Sequence, residues 1–123
     1  MLEGSSMIHS IYPALSALRA FGQKLGVTAN NIANINTNGF KKSRVDLEEA
    51  SSSGVNVSIR QVNTPGAFLP PDPDTGEPQE SSNVSADEEV VSLVTAKQAY
   101  TANLKTVAAE EEILGTLFDI LDK

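Results

Sequence analysis

Between Ile8 and Ile35 the large apolar residues fall at Ile8, Ile11, Leu15, Leu18, Leu25 and Ile32, with Gly22 and Ala29 at the remaining positions of the same seam. Steps of three, four and seven keep residues on one side of a helix, so the pattern predicts an amphipathic helix with a narrow apolar stripe. Ser10 is placed to cap its start, and Pro13 then falls in the first turn, where a missing N–H has no intrahelical partner to lose. The helix is expected to begin near Ser10. It is expected to stop in Asn34-Ile35-Asn36-Thr37-Asn38-Gly39, because Asn and Gly accept the left-handed backbone of a helix end.

A second helix is marked near the other end. Ser85-Ala86-Asp87-Glu88 has the pattern of a capping box, in which the Ser85 hydroxyl accepts from the Glu88 N–H and the Glu88 carboxylate reaches back. Beyond it Leu93, Tyr100, Val107, Leu114 and Leu121 recur every seven residues, and the pattern sets Val90, Leu104, Leu117 and Phe118 on the same side. A helix from Ala86 to Leu121 would be on the order of 54 Å long. Between the helices Val55, Val57 and Ile59 alternate with Asn56, Ser58 and Arg60, the period of a half-buried strand, and Thr64-Pro65-Gly66 supplies a turn. One or two short strands are expected. Four of the six prolines lie in Pro70–Pro78, which must be a loop, and Ser51-Ser52-Ser53-Gly54 is a second flexible joint.

The fold class that follows is mainly α with a small β insert: two long terminal amphipathic helices, pairing as in a coiled coil, flank a short irregular β-containing segment. The divisions are 1–6, read as an expression scar before a natural start at Met7; 7–38, the N-terminal helix; 39–84, the insert with its Pro-rich loop at 70–78; and 85–123, the C-terminal helix. A lone apolar stripe in water is unstable, so the helices must pack on each other or on other copies.

The chain has 123 residues and no cysteine, which sets aside disulfide frameworks, thiol catalysis and thiolate zinc sites. No apolar run is long enough to span a membrane, and no signal-peptide pattern follows Met7. The net charge of −7 is unevenly spread. From Met7 to Arg44 there are bases and no acid, whereas Ser85–Lys123 carries eight acids and three bases, so the two ends are complementary. Lys41, Lys42 and Arg44 form a basic cluster, for which an acidic neighbouring subunit is a better partner than nucleic acid in so acidic a chain.

Five asparagines between positions 30 and 38 are costly in a helix tail unless their amides have partners. They are either capping residues of a frayed end or amides that bond to a neighbouring helix and set its register. The run Leu25–Lys41 contains Ala29-Asn30-Asn31-Ile32-Ala33-Asn34 and then Thr37-Asn38-Gly39-Phe40-Lys41. This run resembles the N-terminal signature of bacterial flagellar basal-body rod and hook proteins. Ser82-Asn83-Val84, the acidic helix start and Gln98-Ala99-Tyr100-Thr101-Ala102-Asn103-Leu104-Lys105 resemble the C-terminal helix of the same family. The short insert is most like that of the small proximal-rod members.

The resemblance implies a structural subunit of the flagellar rod, self-assembling for motility, whose terminal helices form an inner tube of coiled coils. It implies other rod subunits and copies of itself as partners, and passage without a cleaved signal peptide through the flagellar type III export apparatus to the periplasm-spanning rod. The alternative is a soluble helical adaptor or export chaperone that binds a partner helix. The expected interface comprises Leu15, Leu18, Leu25, Ile32, Leu93, Tyr100, Leu104, Val107, Leu114 and Leu121, with Asn30, Asn31, Asn34 and Asn103 setting register. No catalytic, cofactor or metal site is expected. His9 is the only histidine, Glu110-Glu111-Glu112 splay around a helix, and Asp72, Asp74 and Gly76 echo half of a calcium loop that prolines interrupt.

Overall fold

The computed structural model describes residues 2–122, with side chains described from residue 11. Helix α1 spans Leu2–Ala33 and helix α2 spans Ala86–Leu121. Between them lie β1 (Ser43–Glu49), β2 (Val55–Gln61), β3 (Phe68–Leu69) and β4 (Gln79–Glu80). The strands pair as two separate antiparallel hairpins, β1 with β2 and β3 with β4, in place of the one or two strands expected. The Pro-rich loop is the tip of the second hairpin. Strand β1 has an alternation of its own, Val45 and Leu47 against Arg44, Asp46 and Glu48, which the charged residues obscure.

Helix α1 begins at Leu2 and not near Ser10, so Pro13 stands inside the helix. An interior proline costs about 3 kcal/mol relative to alanine, through the lost N–H and a clash with the preceding turn. The expected Ser10 cap and His9 lie outside the described side chains. At its other end α1 stops where predicted, but Gly39 alone takes the left-handed conformation, with φ at 75°, while every asparagine keeps a negative φ.

Asn31, near the end of α1, bonds Glu89 near the start of α2, and Gly22 lies against the Tyr100 ring. The helices therefore run antiparallel and side by side. Among the described side chains their buried apolar residues are alanines: Ala14, Ala17 and Ala20 on α1 and Ala96 on α2. Leu18, Leu25 and Ile32 on α1, with Leu93, Tyr100, Val107 and Leu114 on α2, are half-buried. The residues filling the turns between the α2 heptad positions are Glu89, Ala96, Asn103 and Glu110, not Val90, Leu104, Leu117 and Phe118, which are exposed. Both sets fit the period of the helix. The small Ala96 side chain lets the backbones approach, and that choice turns the larger residues outward.

The β1–β2 hairpin lies along α1. Val62 N–H donates to Lys42 C=O at one end and Ala50 N–H to Gly54 C=O at the other, which turns the backbone groups of Ser43 and Val55 away from the partner strand. Two α1 side chains take them. Asn31 holds both groups of Ser43, and the Ser16 hydroxyl accepts from Val55 N–H at 2.9 Å and donates to Val55 C=O at 3.2 Å. Ser16 and Asn31 stand about 22 Å apart along the helix, close to the roughly 20 Å that β1 covers. Gly54 makes the turn beside Ser16 with φ at 91°, where a side chain would also meet the hydroxyl.

The alanine packing predicts that Ala96→Leu destabilises the chain by about 1–3 kcal/mol through overpacking, read as a lower urea midpoint with the same slope. Leu104→Ala, at a half-exposed position, should cost less than Ala96→Leu.

Candidate functional site

The end of α1, the start of β1 and the start of α2 meet in a polar junction. Its centre is Glu89, whose carboxylate is fully buried. Glu89 Oε1 accepts from Arg44 Nη1 at 2.6 Å, and Oε2 accepts from Asn31 Nδ2 at 3.2 Å. Asn31 is fully buried as well, and its amide acts as one more strand residue beside β1: Nδ2 donates to Ser43 C=O at 2.9 Å and Oδ1 accepts from Ser43 N–H at 3.0 Å. One asparagine thereby joins both helices and the first strand. Among the described residues, every buried polar side-chain atom has a partner, as a native interior requires.

Around this centre sits a ring of more exposed ion pairs. Glu88 Oε2 accepts from Arg44 Nη2 at 2.7 Å and from Lys42 Nζ at 3.1 Å, and Lys41 pairs with Glu80. Asn83 ties the chain crossings below: its Oδ1 accepts from Lys42 N–H at 2.7 Å, and its Nδ2 donates to the carbonyls of Val62 and Thr64 at 2.8 and 2.9 Å.

The basic cluster is therefore consumed within the chain. The expectation that Lys41, Lys42 and Arg44 reach an acidic neighbouring subunit is corrected: the fold returns α2 to the start of β1, where Lys42 and Arg44 pair with Glu88 and Glu89 of the same chain, and Lys41 pairs with Glu80. The capping box is corrected for the same reason. Lys42 and Arg44 draw the Glu88 carboxylate outward, and Ser85, though at the N-cap, makes no cap bond and donates to Asp87 instead. Hydrogen bonding and charge from Lys42, with Arg44 adding to them, hold the Glu88 carboxyl below its ordinary value, and the Ser85 hydroxyl does the same for Asp87.

The other predicted register residues bond locally. Asn34 Nδ2 donates to Asn30 C=O at 2.9 Å, and Asn103 Nδ2 to Ala99 C=O at 2.8 Å. Of the predicted interface, Leu15, Leu104 and Leu121 are exposed, with Leu121 at 78%. Glu110 is half-buried while Glu111 and Glu112 face solvent. Asp72 Oδ1 accepts from the N–H groups of Asp74 and Thr75, which closes the turn. Among the described residues, no group of three or more His, Asp or Glu is arranged to hold a metal ion, and no helix is long and apolar enough to cross a membrane. Sequence reasoning missed Glu89 and Ser16. Glu89 had a legible signal, since it lies on the heptad line of Leu93, Ala96 and Tyr100, where a charge needs an internal partner.

Residues 11–41 match the family model described as flagella basal body rod protein, and residues 79–120 match that of the flagellar basal body rod FlgEFG protein C-terminal region. Among curated proteins the chain is 47% identical over 49 residues to the flagellar basal-body rod protein FlgG of Bacillus subtilis, covering 40% of this chain and 19% of that protein. It is 36% and 30% identical over 64 residues to the flagellar hook proteins FlgE of Borreliella burgdorferi and Treponema pallidum, covering 52% of this chain and 14% of each. The chain spans less than a fifth of the length of these relatives. The two segments matched by the family models are those that the junction brings together: Asn31 and Lys41 come from one, and Glu80, Asn83, Glu88 and Glu89 from the other.

Two outcomes follow from the junction. Glu89→Ala leaves Arg44 and Asn31 without their shared acceptor and should cost about 3–5 kcal/mol, measured by denaturant unfolding. Glu88 is depressed in the folded state, so its contribution is complete above its ordinary value of 4.5 and is lost as pH falls through the lower folded value. Wild type should melt above Glu88→Gln at pH 7, and the two melting temperatures should converge as the pH falls below the lowered folded-state value of Glu88.

Proposed function

Because the chain belongs to the family of flagellar basal-body rod and hook proteins, we propose that it is a structural subunit of the flagellar basal-body rod, without enzyme activity. Its terminal helices pack axially, as coiled coils, against other rod subunits and copies of itself, and the hairpins face away from that column. Export through the flagellar type III apparatus delivers it to the rod.

The observation that carries this reading is that the family-matched segments form one unit, locked at the junction, which holds α1 and α2 in a fixed register. The apolar positions that the pair leaves exposed, Leu15, Leu104 and Leu121 among them, are then presented in a set pattern to neighbouring subunits. Leu18, Leu25, Asn31, Ile32, Leu93, Tyr100, Asn103, Val107 and Leu114 act within the unit, and Asn30 and Asn34 hold its end. A surface that meets a different surface on the next copy propagates into a filament and does not close into a ring.

Leu104→Asp tests the proposal. The variant should still be exported, fail to enter purified basal bodies and abolish motility. Normal motility with the variant present in basal bodies would remove Leu104 from the assembly surface. Recovery of the wild-type protein only from the cytoplasm would instead favour the adaptor or chaperone.

A further inference from the structure

The β1–β2 hairpin has two open edges. Alternate residues of an antiparallel pair turn their backbone groups away from the partner strand. Here they are Ser43, Val45, Leu47 and Glu49 on β1 and Val55, Val57, Ile59 and Gln61 on β2. Asn31 takes the groups of Ser43, and Ser16 takes those of Val55. The outward groups of the other six residues have no protein partner among the described residues. Such an edge is a template for another strand, and β2 has neither proline nor lysine to discourage one.

The two edges differ in charge. Arg60 is the only charged residue of β2, whereas β1 carries Asp46, Glu48 and Glu49. Glu48 and Glu49 are exposed and make no ion pair among the described residues. Arg60 Nε donates to Asp46 of its own chain at 2.7 Å, and its two terminal nitrogens find no partner among the described residues. The basic edge of β2 therefore suits the acidic edge of β1 better than it suits a second β2.

We propose that the open edge of β2 pairs, antiparallel, with the open edge of β1 in a second copy of this chain. Outward groups must meet outward groups, and the two residues held by α1 are excluded. One register uses all that remain: Val57, Ile59 and Gln61 stand opposite Glu49, Leu47 and Val45 of the second copy. The same register sets Arg60 opposite that copy's Asp46, an attractive cross-strand pair. It also lays the second copy's Leu47 beside Ile59, which is 55% exposed while Val45, Leu47, Val55 and Val57 on its face are half-buried. Within one chain Glu49 faces Val55, so facing Val57 instead displaces each copy by two residues, about 7 Å along the strands. Every added copy presents the same edge again, so the contact propagates with a stagger and does not close. The inference rests on the rod reading for its setting, where it adds a lateral seam outside the packed helices.

Single cysteines test the seam in the full chain, which has none of its own. Ser58 stands opposite Glu48 of the second copy in this register, and both are exposed. Oxidising a mixture of Ser58→Cys and Glu48→Cys chains should give a disulfide-linked mixed dimer, and neither variant alone should link. Ile59→Pro in the Ser58→Cys chain removes an outward N–H and no ladder bond of the hairpin, so it should abolish the link with circular dichroism unchanged. Arg60→Glu in the Ser58→Cys chain should reduce linking about fivefold, and Asp46→Lys in the Glu48→Cys chain should restore it. Rescue between two chains cannot come from the ion pair within one, so it decides the matter if proline unfolds the hairpin. Absence of the mixed link, linking of Ser58→Cys with itself, or failure of the rescue would each overturn the proposal. Protein present in basal bodies without the mixed link would remove the seam and leave the rod reading, whereas a mixed link in a protein absent from basal bodies would do the reverse.

Discussion

A carboxylate taken wholly out of water must find its hydrogen bonds and counter-charge inside the protein, and Glu89 finds them in only one arrangement of this chain. Arg44 reaches it from β1 and Asn31 from α1, so the carboxylate can be satisfied only when both elements are docked on α2. Burying a charge pair adds little net stability over apolar packing. What it adds here is uniqueness of register: a slip of either helix by one turn would leave a buried charge alone. Asn31 extends the same constraint to the backbone of Ser43, and Ser16 fixes the far end of the hairpin. The insert is thereby aligned along α1 without a core of its own.

The apolar part of the structure complements this lock. The helices meet through alanines, which allow close backbone approach but bury little surface. Larger apolar residues sit at the margins of the contact or point away from it. The unit is therefore positioned mainly by polar chemistry at one end, and much of its hydrophobic surface stays exposed. Large exposed apolar patches mark sites of association in proteins. The same helices thus have two unlike sides, one spent on internal register and the other left with exposed apolar residues.

That division agrees with the comparisons. The matched segments lie towards the two ends of the chain, while β1, β2 and β3 lie outside both family models and β4 opens the second matched segment. Asn31 and Glu89, which bond each other across the two helices, sit inside the matched segments, whereas Lys42 and Arg44, which also reach α2, lie just beyond the first of them. The β1–β2 hairpin is attached where its backbone groups receive side chains from outside the strand pair: Ser43 from Asn31, Val55 from Ser16, and Lys42 and Val62 from Asn83.

The chain's own periodicity determined that there would be two helices, and roughly where each stops or starts. The steps of three, four and seven, the Asn-Gly stop and the proline loop are local signals that need no knowledge of the partner. The family resemblance was legible for the same reason, being carried by contiguous runs at the two ends. Three features were decided only in the tertiary structure. Two α2 stripes satisfied the same period, and the closeness of α1 selected the one through Ala96 over the one through Leu104. Glu88 suited a capping box by spacing, but Lys42 and Arg44, brought there by the return of the chain, bind its carboxylate more strongly than a backbone N–H does. The complementary charge of the two ends was legible, but which acids the basic cluster meets was not, because charge acts through space and the antiparallel fold put acids of the same chain within reach.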